Sequence, residues 1–206
     1  MAKFPEPPAT LPVPDLHVLR PGTRIWRIYF QAGAHPTTWA QFRSWGPTHA
    51  RFDHHLPPPR LQPREILYGA LGAKGALTCL SEAFQQSRVV ERTRGTPALV
   101  AFDLTRPVRL LDLTGTWPTQ AGASMAIHSG RRDRARRWSQ AIYSAFSDVE
   151  GVLYPSSMNA NEPCVALYER ARHAMPSVPA FHRLLSDAAI LSRLRRACGE
   201  LGYWLL

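Results

Sequence analysis

The stretch Gly151 to Glu169, G-V-L-Y-P-S-S-M-N-A-N-E-P-C-V-A-L-Y-E, carries the densest chemical signal in the chain. A short apolar run breaks at Pro155, presents Ser156 and Ser157, loops, and returns as a strand; upstream stand Arg27, Arg51, Tyr68 and Glu82. Guanidinium groups grip phosphate or carboxylate through planar, bidentate contacts. A carboxylate beside them suits a sugar, because it can hold a hydroxyl or face positive charge that develops on the ring. These residue types together suggest a site for an anionic, ribose-containing substrate.

Each residue also has a plainer reading. A strand arginine is more often a surface residue or a salt-bridge partner. Glu82, placed by its apolar neighbours in the opening turns of a helix, would be favoured there by the helix dipole. Ser156 after a proline is an ordinary turn residue, and Tyr68 an ordinary half-buried strand residue. Asp53, His54 and His55 invite a metal reading, but adjacent side chains in an extended segment point opposite ways, and a solvated loop is the simpler expectation. Gly69, Gly72 and Gly75 follow a strand with a spacing that fits neither the dinucleotide fingerprint nor the phosphate loop.

The elements that must position these groups follow from periodicity and punctuation. Residues 1–15 hold five prolines and read as an extended arm that lies on the domain or leads into it; the folded domain is expected over 16–206. R-I-W-R-I-Y-F at 24–30 reads as the first strand, and E-I-L-Y-G-A, after Pro57, Pro58, Pro59 and Pro63, as a short strand carrying Tyr68. A helix is predicted from about Leu77 to Val90, then strands at Ala98 to Leu104 and Val108 to Leu113. A second helix, Arg131 to Phe146, has Ala135, Trp138, Ile142 and Ala145 on one side. Arg131, Arg132, Arg134, Arg136 and Arg137 crowd its N-terminal half, where they oppose the dipole, so an external anion or an acidic partner is expected to hold some of them. A last helix is predicted over Phe181 to about Ala197. Strands mixed irregularly with helices give an α+β domain with a mixed β-sheet core flanked by helices.

With 206 residues and 45% hydrophobic composition the chain can bury a real core as one compact domain. The formal net charge of +10, nearly all of it arginine, calls for an anionic partner without choosing among nucleic acid, a phosphorylated small molecule and an acidic protein. Cys79, Cys164 and Cys198 sit among apolar neighbours, as reduced and buried cysteines do. No signal-peptide core and no run of about 18 apolar residues is present, so no membrane partner and a cytoplasmic location are expected.

The order W-R-I-Y near Arg27, A-R-F at Arg51, the Tyr68 strand, A-L-T-C-L-S-E-A-F at Glu82, Trp138 before an apolar helix and G-V-L-Y-P-S-S returning through C-V-A-L-Y-E resembles the RES-domain family. That family comprises toxins of bacterial toxin–antitoxin modules, and the resemblance runs from about Val18 to Glu169. It implies a fold similar to the ADP-ribosyltransferase toxins and degradation of NAD, with inorganic phosphate as possible co-substrate and no bound cofactor. It also implies a helix-turn-helix antitoxin of the Xre type as partner, with nucleic acid reached only through that antitoxin. Carried over by position, Arg51, Glu82 and Ser156 match the catalytic arginine, glutamate and serine, Arg27 and Tyr68 match further pocket positions, and Ser157 can stand in for Ser156.

The residue chemistry agrees. Breaking the nicotinamide–ribose bond develops an oxocarbenium-like sugar that an ionised Glu82 would stabilise. Arg27 and Arg51 could clamp the pyrophosphate, Tyr68 could stack on the departing ring, and the Ser156 hydroxyl could orient phosphate or ribose. Two alternatives stand beside this reading: an ADP-ribosyltransferase that modifies a macromolecule, although Glu82 lacks a paired acid or glutamine just before it, and a basic nucleic-acid-binding protein without catalysis, using the 131–137 arginines.

Overall fold

The computed structural model describes residues 4–206. Strand β1 (Leu16–Leu19) is followed by β2 (Arg24–Phe30), β3 (Arg43–Gly46), β4 (Arg60–Ala70) and helix α1 (Gly75–Ala83). Next come β5 (Val89–Val90), β6 (Pro97–Asp103), β7 (Val108–Asp112), the short helix α2 (Trp117–Gln120) and α3 (Arg132–Ala145). The chain ends through β8 (Gly151–Pro155), β9 (Pro163–Tyr168), β10 (Phe181–Leu184), α4 (Leu191–Leu201) and β11 (Trp204–Leu205). The main sheet runs β1-β7-β8-β9-β4-β2-β6-β10, with β3 also paired to β4. Only β7 and β8 are parallel within it, so the expected mixed sheet of an α+β domain is present.

Strand β4 makes the site possible. Along one edge it pairs with β9, from Ile66↔Tyr168 to Ala70↔Cys164. Along the other it pairs first with β3, between Arg60 and Ile66, and then meets β2 at the single register pair Trp26↔Ala70. On that edge neither partner pairs in register with Leu67, Tyr68 or Gly69. Pro63 falls in the β3–β4 stretch where the register shifts between Arg43 and Trp45, an irregularity that tolerates a residue with no N–H to donate.

Alternation along the strands sorts side chains to two faces. One face carries Leu111, Val152, Ala166, Tyr168 and Ile66 into a core with Trp117, Trp138 and Ile142, under α3. Further along that face, Trp26, Ile28, Ala70 and Cys164 pack with Cys79, Leu80 and Phe84 of α1 and Leu194 and Cys198 of α4. Between these two packed regions the face is open. The reverse face carries Ile25, Leu67, Phe102, Leu110, Leu153, Val165 and Leu167.

Several expectations need correction. The helix predicted from Leu77 to Val90 spans Gly75–Ala83 and stops before the polar Gln85–Gln86–Ser87; Arg88 takes a positive φ of 53°, and Val89–Val90 is a strand paired to β11. Glu82 therefore lies in the last turn, not the opening turns. The helix predicted over Phe181 to Ala197 divides at Ser186–Asp187: Phe181–Leu184 forms the edge strand on β6, and Asp187 accepts from Ala189 N ahead of α4. Asp53, His54 and His55 are not solvated but fully buried. The arm lies on the domain: Phe4 belongs to the α3 core, and the indoles of Trp138 and Trp117 donate to Pro5 O and Val13 O. Residues 1–3 of the arm fall outside the described residues.

Candidate active site

A cavity of about 570 Å³ occupies the open part of the sheet face. Its floor is Tyr68, Gly69 and Ala70 of β4 with Cys164 of β9 and Tyr154 of β8; its walls come from Thr48–Arg51, from α1 and the turn after it, and from Arg132 at the start of α3. The volume lies within the ~300–1,000 Å³ range of small-molecule sites. One end is apolar, with Ile28, Ala70, Cys79 and Phe84, while Arg51, Arg132, Glu82 and Gln85 gather at the polar wall.

Glu82 is held in place by two neighbours. Ser156 Oγ donates to its Oε1 at 2.5 Å, and Gln85 Nε2 makes a long contact of 3.4 Å to its Oε2. Ser156 is itself fixed, since its Oγ accepts from Met158 N at 3.1 Å and Asn159 N at 3.0 Å, and Asn159 Nδ2 donates to Thr78 Oγ1 on α1 at 2.8 Å. The loop after Pro155 is thus tied to the helix that carries the glutamate. A carboxylate in the last turn meets the negative end of the helix dipole, an unfavourable contact of about 0.3–1 kcal/mol that a charge-assisted bond of about 1.5–3 kcal/mol outweighs.

Arg51 brings positive charge to the same hollow. Its guanidinium donates to Gly130 O at 2.6 Å and to Ile127 O at 3.4 Å, so main-chain carbonyls aim it. Burial lowers its pKa from the usual guanidinium value, the charge of Arg132 lowers it further, and Glu82 opposes the change. Arg132 donates to Gln85 Oε1, completing a chain from Arg132 through Gln85 to Glu82. Behind Arg51, His128 Nε2 donates to Leu113 O over 2.8 Å, and burial together with the Arg51 charge holds its pKa at about 4, against the hydrogen bond to Leu113 O, so it is neutral near pH 7. Tyr68 forms part of the floor; burial pushes its phenol well above the ordinary value, and its hydroxyl has no hydrogen-bond partner among the described residues. Tyr154 lies beside it, its ring 4.5 Å from that of Phe52. Burial pushes the Cys79 thiol up to about 12 and that of Cys164 higher still, so neither is a nucleophile near neutral pH.

The expected site residues are therefore brought together unevenly. Arg51, Tyr68, Glu82 and Ser157 line the cavity. Ser156 is buried behind Glu82, and its hydroxyl is committed to that carboxylate rather than presented to a ligand. Arg27 is outside: its neighbour Ile28 lines the cavity, while strand alternation turns Arg27 to the reverse face, where it donates to Trp39 O at 2.7 Å and Gln41 O at 3.0 Å. Burial brings its pKa down to about 10, and the two carbonyls account for the guanidinium structurally.

Arg132 and Gln85 were not singled out as site residues by the sequence. The available signal was the unfavourable placement of Arg132 at a helix N-terminus, which the expectation of an external anion touched without locating it. The buried Asp53 is a structural hub. Burial works against its charge, but bonds from His55 Nδ1 at 2.6 Å, Arg43 at 2.8 Å and Thr48 N at 2.6 Å hold its carboxyl well below the usual range. Among the described residues no group of three or more His, Cys, Asp or Glu is placed to hold a metal ion.

A mixed sheet whose face holds a hollow lined by a hydroxyl-held carboxylate and two guanidiniums gives this α+β domain a candidate small-molecule site. The RES domain model matches residues 24–187, and the chain belongs to that family. Among solved structures it is similar to a chain of the M. tuberculosis MbcT–MbcA toxin–antitoxin complex, with 19% identity, a TM-score of 0.57, and coverage of 87% of this chain and 92% of that one. At that identity the likeness bears on the fold. No curated protein matches the chain.

Proposed function

We propose that the protein is the toxin of a toxin–antitoxin module and degrades NAD by breaking the nicotinamide–ribose bond. The observation that carries this reading is the fixed Glu82 carboxylate, 2.5 Å from Ser156 Oγ, in a hollow shared with Arg51 and Arg132. Membership of the RES-domain family and the fold shared with a chain of a toxin–antitoxin complex support it.

In this scheme Arg51 and Arg132 hold the pyrophosphate, and the ring-lined floor of Tyr68 and Tyr154 receives a planar base. Glu82 Oε2 faces the ribose as the C1′–N bond lengthens and positive charge grows on the sugar. Nicotinamide leaves with the bonding electron pair as a neutral molecule, so no strong general acid is needed. The acceptor then bonds to C1′. A phosphate dianion attacks through an oxygen that already bears charge and gives a sugar 1-phosphate; water must in addition lose a proton. Phosphate as acceptor therefore asks less of a site with one carboxylate. A helix-turn-helix antitoxin that covers the cavity completes the proposed module, and the reaction is placed in the cytoplasm.

Incubating the pure protein with NAD, with and without phosphate, and resolving the products by mass spectrometry tests the proposal. Free nicotinamide is expected, together with a phosphorylated ADP-ribose when phosphate is present. Intact NAD under both conditions would refute it, and label transferred from NAD to a macromolecule in lysate would favour the ADP-ribosyltransferase alternative.

A further inference from the structure

We infer that Phe4 and Glu6, in the N-terminal arm, position the two cationic groups of the cavity, Arg51 and Arg132. The inference rests on the reading of that cavity as the NAD site, and it adds residues outside the cavity lining that act through others.

Two routes lead inward from the arm. The first runs through Gly130. Phe4 is buried in the α3 core, and its ring closes on Gly130 so tightly that a methyl group placed there would lie 2.9 Å from Phe4 Cδ1 and 2.7 Å from Ala126 O. The Gly130 carbonyl is the acceptor that aims Arg51, at 2.6 Å. Removing the ring opens space beside the turn whose carbonyl holds the guanidinium.

The second route runs through the first turns of α3. Asp133 is the acid in the opening turn, against Arg131, Arg132, Arg134, Arg136 and Arg137 in the same half. Glu6 supplies the missing negative charge from outside the helix, accepting from Arg134 Nε at 3.1 Å and from Arg137 Nε and a terminal nitrogen at 2.5 and 2.6 Å. Phe4 O accepts from Arg134, and Pro5 O from Trp138 Nε1 at 2.9 Å. Three consecutive arm residues thus fasten the half-helix on which Arg132 stands at the first position. Repulsion among the arginines would otherwise favour fraying of the turn that delivers Arg132 to Gln85.

The test uses the full chain with Phe4→Ala, Phe4→Leu or Glu6→Gln, and reads the melting temperature, kcat and KM for NAD, and the NMR signals of the Arg51 and Arg132 side-chain N–H groups, assigned with Arg51→Lys and Arg132→Lys. Phe4→Ala is expected to move the Arg51 signal and raise KM about tenfold, the worth of one loosened charge-assisted bond, with kcat within about twofold. Phe4→Leu restores most of both. Glu6→Gln is expected to move the Arg132 signal and raise KM about threefold, as removal of an exposed acid does.

A folded Phe4→Ala protein with an unmoved Arg51 signal and wild-type KM overturns the inference. So does a fall in kcat alone, in proportion to the folded fraction, because that marks a purely structural arm. If Phe4→Ala does not fold, wild-type values in both other variants overturn it. If the wild-type protein leaves NAD intact, the functional reading fails, while the arginine signals still decide whether the arm sets Arg51 and Arg132.

Discussion

Replacing Ser156 with alanine removes one oxygen, and its consequences can be worked from the distances. The hydroxyl gives its proton to Glu82 Oε1 at 2.5 Å and accepts from Met158 N and Asn159 N at 3.1 and 3.0 Å. A hydrogen bond to a charged group is worth about 1.5–3 kcal/mol. At about 1.36 kcal/mol per factor of ten, the loss lowers the rate roughly 10- to 150-fold. The loss falls on kcat rather than KM, because the aimed carboxylate matters most when the ribose becomes cationic. The two released N–H groups border the exposed Ser157, where water can reach them, so a drop of a few degrees in melting temperature is expected rather than unfolding. Nicotinamide release at saturating NAD, measured beside a thermal melt of the same preparation, gives both numbers. A folded Ser156→Ala enzyme with kcat within twofold of wild type would show that the serine does not work through Glu82.

Further tests separate the remaining roles. Arg132→Ala should weaken binding of NAD and of ADP-ribose about tenfold, measured by calorimetry; unchanged affinity would remove Arg132 from the anion subsite. Glu169 has its pKa held at about 2 against an ordinary 4.5: burial raises it, but the neighbouring His54 imidazole, 3.9 Å away, and the bonds from Tyr143 and Glu65 N outweigh that. The unfolded chain therefore binds the extra proton between those values, so the stabilisation is complete above about pH 4.5 and is lost as pH falls towards 2. Thermal melts across that range should show the decline, and a Glu169→Gln variant with an equally steep decline would refute the assignment. Gly69→Ala would place a methyl 2.4 Å from Ile25 Cγ2 and 2.9 Å from Trp26 O, and should cost about 1–3 kcal/mol in a denaturant titration. Cys79, its thiol pushed up to about 12, should resist alkylation in the folded protein at pH 8; rapid labelling would contradict its burial.

The sequence was most informative where one periodicity dominated. Ile25, Arg27 and Tyr29 alternate with Trp26, Ile28 and Phe30 along β2, and Ala135, Trp138 and Ile142 recur at helical spacing on α3; both elements lie within a residue of expectation. Where two periods fit the same residues, local pattern alone favours the longer element: Phe181 to Leu194 satisfies a helical stripe, yet pairing with the free edge of β6 makes its first four residues a strand. Buried polar groups were the least legible. Nothing local to Asp53–His54–His55 announces that Arg43 and Thr48 will satisfy the aspartate, so a charged tripeptide read as solvent-facing. At the site, residue type marked Arg51 and Glu82, but the strand phase that sends Arg27 away and the register that hides Ser156 behind Glu82 are properties of the assembled sheet.

The anchorage of Arg51 has a bearing on how the protein tolerates genetic change. Its partners, Gly130 O and Ile127 O, belong to the main chain, and every amino acid supplies that oxygen. Drift in the side chains of this turn cannot delete the acceptors; it can only bend the path that presents them. Loss-of-activity alleles in the 127–130 segment should therefore include substitutions that alter backbone shape, such as a bulkier residue at Gly130 or a proline, while polarity swaps at the exposed Ser129 pass unnoticed.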